Sequence, residues 1–163
     1  ASQIVNEWDE QNIAQIIESY GEERYGRKIA HAIAFQRKIA PINTTAELVA
    51  AIKLAIPIRE WNKKIHPATR TFQALRIWVN KELWALEQFL KESPNFLNEK
   101  GRLCIISYHS LEDRLVKHAF RKRSIQDQRF KVITKKPVTP SQEEIDQNPR
   151  ARSAKLRALE RLH

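Results

Sequence analysis

The chain has 163 residues, 42% of them hydrophobic, enough for one domain or two small ones with a real core. Its 29 Lys and Arg against 19 Asp and Glu leave a formal charge of +10, which favours an anionic partner, nucleic acid first. A single cysteine excludes an internal disulfide, the Cys and His spacing of a zinc site is missing, and no apolar run approaches the ~20 residues of a membrane helix.

Residues 1–65 read as helices. Asp9 is a plausible N-cap, Ile13, Ile16, Ile17 and Tyr20 line one face, and Gly21 is a natural stop. A second helix over 22–39 turns Tyr25, Ile29 and Ile33 inward, with Gln36 or Ile39. Its other side carries Arg24, Arg27, Lys28, His31 and Lys38, and reads equally well as a solvated face or an RNA-facing patch. Pro41 ends it. Thr44 and Glu47 form a capping box ahead of Leu48, Val49, Ile52, Ala55 and Ile56, and Pro57 stops that run. A basic connector, 58–66, holds Arg59, Lys63, Lys64 and His66. Pro67 then opens a long helix, 67–92, with a buried stripe of Phe72, Leu75, Val79, Leu83, Leu86 and Leu90 that Trp78 and Phe89 widen. It ends at Ser93-Pro94.

The apolar run 103–106 reads as a strand buried on both faces of a parallel sheet, which would leave Cys104 buried and inert. Ser110 and Asp113 form a capping box for the next helix, 110–123, whose apolar face is Leu111, Leu115, Val116, Ala119 and Phe120. Ligands of open α/β sheets sit at the carboxyl ends of strands, where Ser107, His109, Ser110 and Arg114 fall. A Ser and a His two apart are equally what a capped loop without chemistry contains. Residues 130–135 read as a strand, Ser141 and Glu144 cap a short helical turn, and 148–153 is a basic turn. The tail 154–161 has helix-forming composition, although its alternation also allows a strand. Only three glycines occur, none in a glycine-rich turn after a strand, so the usual nucleotide cradle is not legible.

Four stretches together resemble one family. They are His66-Pro67-Ala68-Thr69-Arg70-Thr71-Phe72-Gln73-Ala74-Leu75-Arg76-Ile77, Ile106-Ser107-Tyr108-His109-Ser110-Leu111-Glu112-Asp113-Arg114, Thr134-Lys135-Lys136-Pro137 and Asn148-Pro149-Arg150-Ala151-Arg152-Ser153-Ala154-Lys155-Leu156-Arg157. The family is MraW, the small-subunit ribosomal RNA methyltransferases H, which methylate a cytidine at N4 using S-adenosylmethionine. The stretch 9–57, with Tyr20-Gly21-Glu22-Glu23-Arg24, is similar to the family's inserted helical domain.

The resemblance implies an α/β fold with two parts: an inserted all-helical subdomain for RNA recognition, 1–65, and the carboxyl-terminal portion of a Rossmann-like class I methyltransferase sheet, 66–163. It also implies that 154–161 is the last, antiparallel strand, against composition. The family's amino-terminal half carries the Gly-Gly-His-Ser cofactor turn, the acidic residue for the ribose and the early strands. None of these motifs is present here. The expectation is therefore a carboxyl-terminal part that is inactive alone, binds no cofactor through its own residues, holds no metal and bares the edge of strand 102–107. The resemblance places the loop 107–114 beside the target-base pocket, with Ser107, His109 and Ser110 as polar lining groups and Arg114 as a lining group or an ion-pair partner. Arg70, Lys135, Lys136, Arg150, Arg152 and Lys155 are the candidate phosphate contacts. The expected partners are small ribosomal subunit RNA and the amino-terminal half of the same enzyme, in the cytoplasm and away from membranes. A non-enzymatic basic RNA-binding module is the competing reading. A DNA-binding domain is a third, with no helix-turn-helix spacing behind it.

Overall fold

A computed structural model describes residues 1–61 and 65–163 and divides the chain into two compact units, Ala1–Glu82 and Leu83–His163. Lys63 and Lys64 of the basic connector lie outside the described residues.

The first unit is helical. Its elements are α1 (Ser2–Glu7), α2 (Glu10–Gly21), α3 (Gly26–Ile39), α4 (Thr45–Ala55) and α5 (Thr69–Val79). Three-four spacing of branched residues gives each long helix one apolar stripe, and the stripes meet in a core where Ile13, Ile17, Ile29, Ile33 and Ile52 have no exposed surface. Thr44 caps α4 as its spacing predicts: its side chain accepts from the Glu47 N–H at 3.2 Å, and Glu47 accepts from the Thr44 N–H at 2.9 Å.

The helix α2 stops at Gly21 as expected, but Gly21 is not the left-handed residue. The left-handed residue that ends α2 is Glu22, at φ 48°. Gly21 is the last residue of α2, where a Cβ would come 2.7 Å from the Arg70 carbonyl oxygen, so its missing side chain lets α5 approach α2. The division between units consequently falls after α5, later than the 65/66 boundary read from the connector, because Ala74 and Leu75 of α5 complete the helical core.

The single helix expected over 67–92 is two. It breaks after Val79, where Lys81 takes φ 52°, and α6 (Glu82–Glu92) begins. Arg76 clamps the break with a two-pronged contact to Glu82, at 2.8 and 3.0 Å, and the Asn80 amide donates to the same carboxylate at 3.2 Å. An apolar stripe repeats on both sides of such a break, so periodicity alone cannot reveal it. Trp78 packs on Trp8 and Tyr20 yet stays 39% exposed, and Val79 and Phe89 are about half exposed, so these three are not the buried residues expected; Leu90 is the one buried residue of α6.

The second unit is mixed α/β. It holds β1 (Arg102–Ser107), α7 (Ser110–Gln126), β2 (Phe130–Val132), α8 (Gln142–Gln147) and β3 (Lys155–Arg161). The strands form a sheet ordered β1-β3-β2, with both neighbours antiparallel to β3. The tail is thus a strand. As the central strand it buries Arg157, Ala158 and Leu159 in succession, and that packing overrides its weak helix propensity.

The strand β1 departs from expectation on one point. It alternates, with Leu103, Ile105 and Ser107 turned inward and Arg102, Cys104 and Ile106 exposed, so it is neither parallel nor buried on both faces in the described sheet. Cys104 is accordingly exposed. Leu103 and Ile105 pack on a core of Leu90, Val116, Phe120, Phe130 and Leu159.

Candidate functional site at the carboxyl end of the first strand

The turn from β1 into α7 gathers the predicted pocket residues. Ser107 ends the strand with 2% exposure, and its hydroxyl donates to the Lys155 carbonyl at 3.3 Å, directly across the register. His109, not Ser110, is the N-cap of α7: its Nδ1 accepts from the Glu112 N–H at 3.3 Å. That bond leaves Nδ1 without a proton, and Nε2 is buried 3.3 Å from Glu112 Oε1. Glu112 completes the box by accepting from the N–H groups of Tyr108 at 2.9 Å and His109 at 3.4 Å. Burial opposes the charge on Glu112, but the bonds from His109 and the Tyr108 N–H outweigh it and lower the carboxyl pKa.

Asp113 is not in the cap. It turns to β3 and takes the Arg157 guanidinium at 2.6 and 3.2 Å, with Lys155 Nζ 3.7 Å away. Burial again works against its charge, and the Arg157 bond with the neighbouring cations overcomes it, so its pKa is lowered too. The pair is nearly closed to solvent, with side chains 7% and 13% exposed. Arg157 and Asp113 were missed as a unit. The available signal was an arginine inside the strand-like run Leu156-Arg157-Ala158-Leu159, since a charge is seldom buried unless it is paired.

The predicted phosphate contacts fall in two places. Lys135 and Lys136 are exposed on a turn fastened to β3 on both sides. On one side the Ala158 N–H donates to Thr134 Oγ1 at 2.9 Å; on the other Val138 and Leu156 exchange backbone bonds at 2.9 and 2.8 Å. Arg150 and Arg152 are exposed on the turn Pro149–Ser153, anchored by buried Ala151, and lead straight into half-exposed Lys155. These five cations therefore all attach to the first residues of β3, which the antiparallel register sets beside the carboxyl end of β1. Arg70 belongs to the helical unit. There it is half exposed, donates to the Glu22 carbonyl at 3.2 Å and lies 4.0 Å from Glu23, holding the turn between α2 and α3.

As a cradle for a nucleotide-like cofactor this turn does not fit. It contains no glycine, and the N–H groups of Tyr108, His109, Glu112 and Asp113 are already spent on Glu112 and His109. What it can do is hold a polar edge at the end of the sheet to which the exposed cations attach.

The fold defines a mixed α/β protein with a helical unit and a small antiparallel sheet that carries exposed cations near one end. The chain belongs to the MraW methylase family, whose pattern matches residues 1–162. A Synechococcus elongatus protein named ribosomal RNA small subunit methyltransferase H is 54% identical over 162 residues, covering 99% of this chain and 52% of that protein. Proteins of the same name from Trichodesmium erythraeum and Kosmotoga olearia are 52% and 54% identical, each covering 99% of this chain and 55% and 53% of their own lengths. The chain thus spans about half the length of the curated relatives it matches.

Proposed function

We propose that this chain is the carboxyl-terminal part of a methyltransferase that modifies N4 of a cytidine in small-subunit ribosomal RNA, with S-adenosylmethionine as methyl donor. The observation that carries the reading is family membership along nearly the whole chain, with 54% identity over 162 residues to a relative that bears that name. The helical stretch serves as the inserted subdomain and the α/β part closes a Rossmann-like domain. S-adenosylmethionine would supply the electrophilic methyl group, held by the half of the enzyme that this chain does not contain. The residues here bind and orient RNA: Lys135, Lys136, Arg150, Arg152 and Lys155 contact phosphates, while Ser107 and Ser110 line the pocket on a loop that His109 and Glu112 keep rigid. The setting is the cytoplasm, where the small subunit is the partner. Among the described residues no helix is long and apolar enough to cross a membrane.

The test is a chimera in which this chain replaces the matching half of the Synechococcus elongatus relative. Tritiated S-adenosylmethionine and unmethylated small subunits are then supplied. The expected result is label at cytidine N4. A chimera with Lys135, Lys136, Arg150 and Arg152 changed to Ala should bind subunits at least ~10-fold more weakly and keep its cofactor affinity. A folded chimera that binds RNA and transfers no methyl group would replace this reading with that of a non-enzymatic RNA-binding module.

A further inference from the structure

The outward face of α3 takes no part in the sheet-end site, and it carries an unusual combination. The buried stripe of this helix is Gly26, Ile29, Ala30, Ile33 and Ala34. Opposite it, Phe35 stands 60% exposed. One turn before it is His31, one turn after it is Lys38, and two turns before it is Lys28, about 10 Å away along the axis. Exposed apolar side chains are common in this chain; what sets Phe35 apart is a ring placed between cations on one helix face.

The charges beside it set a direction. On the α2 side, Glu18 meets Arg27 at 3.5 Å and Glu10 meets His31 at 3.2 Å. Those carboxylates, with Arg27, line a groove of about 450 Å³ along α2, a surface less attractive to an anionic backbone than the outward face of α3. Among the described residues Lys28 and Lys38 have no carboxylate partner. Cations without a carboxylate partner thus lie to either side of Phe35 along α3, while on the α2 side the cations are matched by acids.

We infer that this face binds a single strand of RNA running along α3, with one base stacked on Phe35 and flanking phosphates met by Lys28 and Lys38. Base stacking needs only an exposed ring and tolerates any base, and the two lysines supply the phosphate term. A duplex keeps its bases stacked on one another and offers none to the ring, so the ligand is single-stranded. The inference rests on the reading of this chain as an RNA-modifying protein, and it adds a second contact region, outside the sheet end, that holds the RNA flanking the target.

The test uses the 163-residue chain and a fluorescein-labelled single-stranded oligouridylate of about 15 nucleotides, followed by anisotropy over a salt series. Phe35→Ala should weaken binding ~5-fold or more, the low end of what one stacked base contributes. Phe35→Trp should restore it, and Phe35→Leu, apolar but without a π face, should not. Lys28→Gln with Lys38→Gln should lower the salt slope by about 1.4, the share of two phosphates on a single strand. Lys91→Gln, on α6, is the charge control and should change little. Circular dichroism checks that each variant is folded.

Wild-type binding that Phe35→Ala leaves unchanged would overturn the α3 site. If the Lys135, Lys136, Arg150 and Arg152 variant still loses binding in that case, the sheet-end reading stands without it. Full rescue by Phe35→Leu would also overturn it, and would point to an apolar protein partner. A wild-type chain that binds no oligonucleotide overturns the α3 site, while methyl transfer by the chimera independently decides the broader function.

Discussion

Asp113 sits in the first turn of α7 and is spent on two cations of β3. Its position suits the helix dipole, and its bond to Arg157 ties the helix to the central strand just past Lys155. Removing the carboxylate charge leaves a buried guanidinium uncompensated, so Asp113→Asn is expected to cost roughly 3–5 kcal/mol at neutral pH. The pH dependence has a definite sign. Glu112 and Asp113 both have folded-state pKa values lowered below their ordinary range. Their stabilisation is complete above the unfolded values, about 4, and is lost as pH falls through the lower folded ones. Urea unfolding at a series of pH values should therefore show a steeper acid loss for the native chain than for Asp113→Asn. Parallel curves would mean that the pair contributes no such linkage.

Among the elements, local chemistry was legible and direction was not. The Thr44–Glu47 and Ser141–Glu144 caps form where the spacing puts them, because a cap is decided by residues three apart. The same rule picked Ser110 over His109, since an imidazole nitrogen can accept the cap bond as well as a hydroxyl does. The break at Asn80 and Lys81 was invisible because the stripe resumes beyond it. Gly21 ends α2 as its residue type suggests, but what requires a glycine there is the carbonyl of Arg70, far away in sequence and against it in space. Gly21→Ala should push α5 off α2 and cost ~1–3 kcal/mol, read as a lower urea midpoint with an unchanged slope. An unaltered midpoint would show that α5 shifts freely.

On the scale of the molecule, the two cores share no residue: one lies within 4–75, the other within 90–159. Ile33→Ala, which hollows the first core at a site with no exposed surface, should cost about 2–5 kcal/mol there. Amide exchange should quicken across α2 to α5 and stay unchanged in β1 and β3. Equal quickening in both would mean that the units unfold as one.

From residue order alone came the helical character of the first unit, the strand-turn-helix at 102–123, which the structure extends to Gln126, the basic balance and the motifs of the family. All of these follow from periodicity, caps and charge, which act over a few residues. Tertiary structure decided that the tail is a central strand, that β1 shows one face to solvent, that α5 joins the helical core, and that Asp113 belongs to Arg157 and not to a cap. Each of those depends on which distant segment becomes a neighbour. Burial against that neighbour outweighs propensities of well under a kilocalorie per residue, and local sequence does not record it.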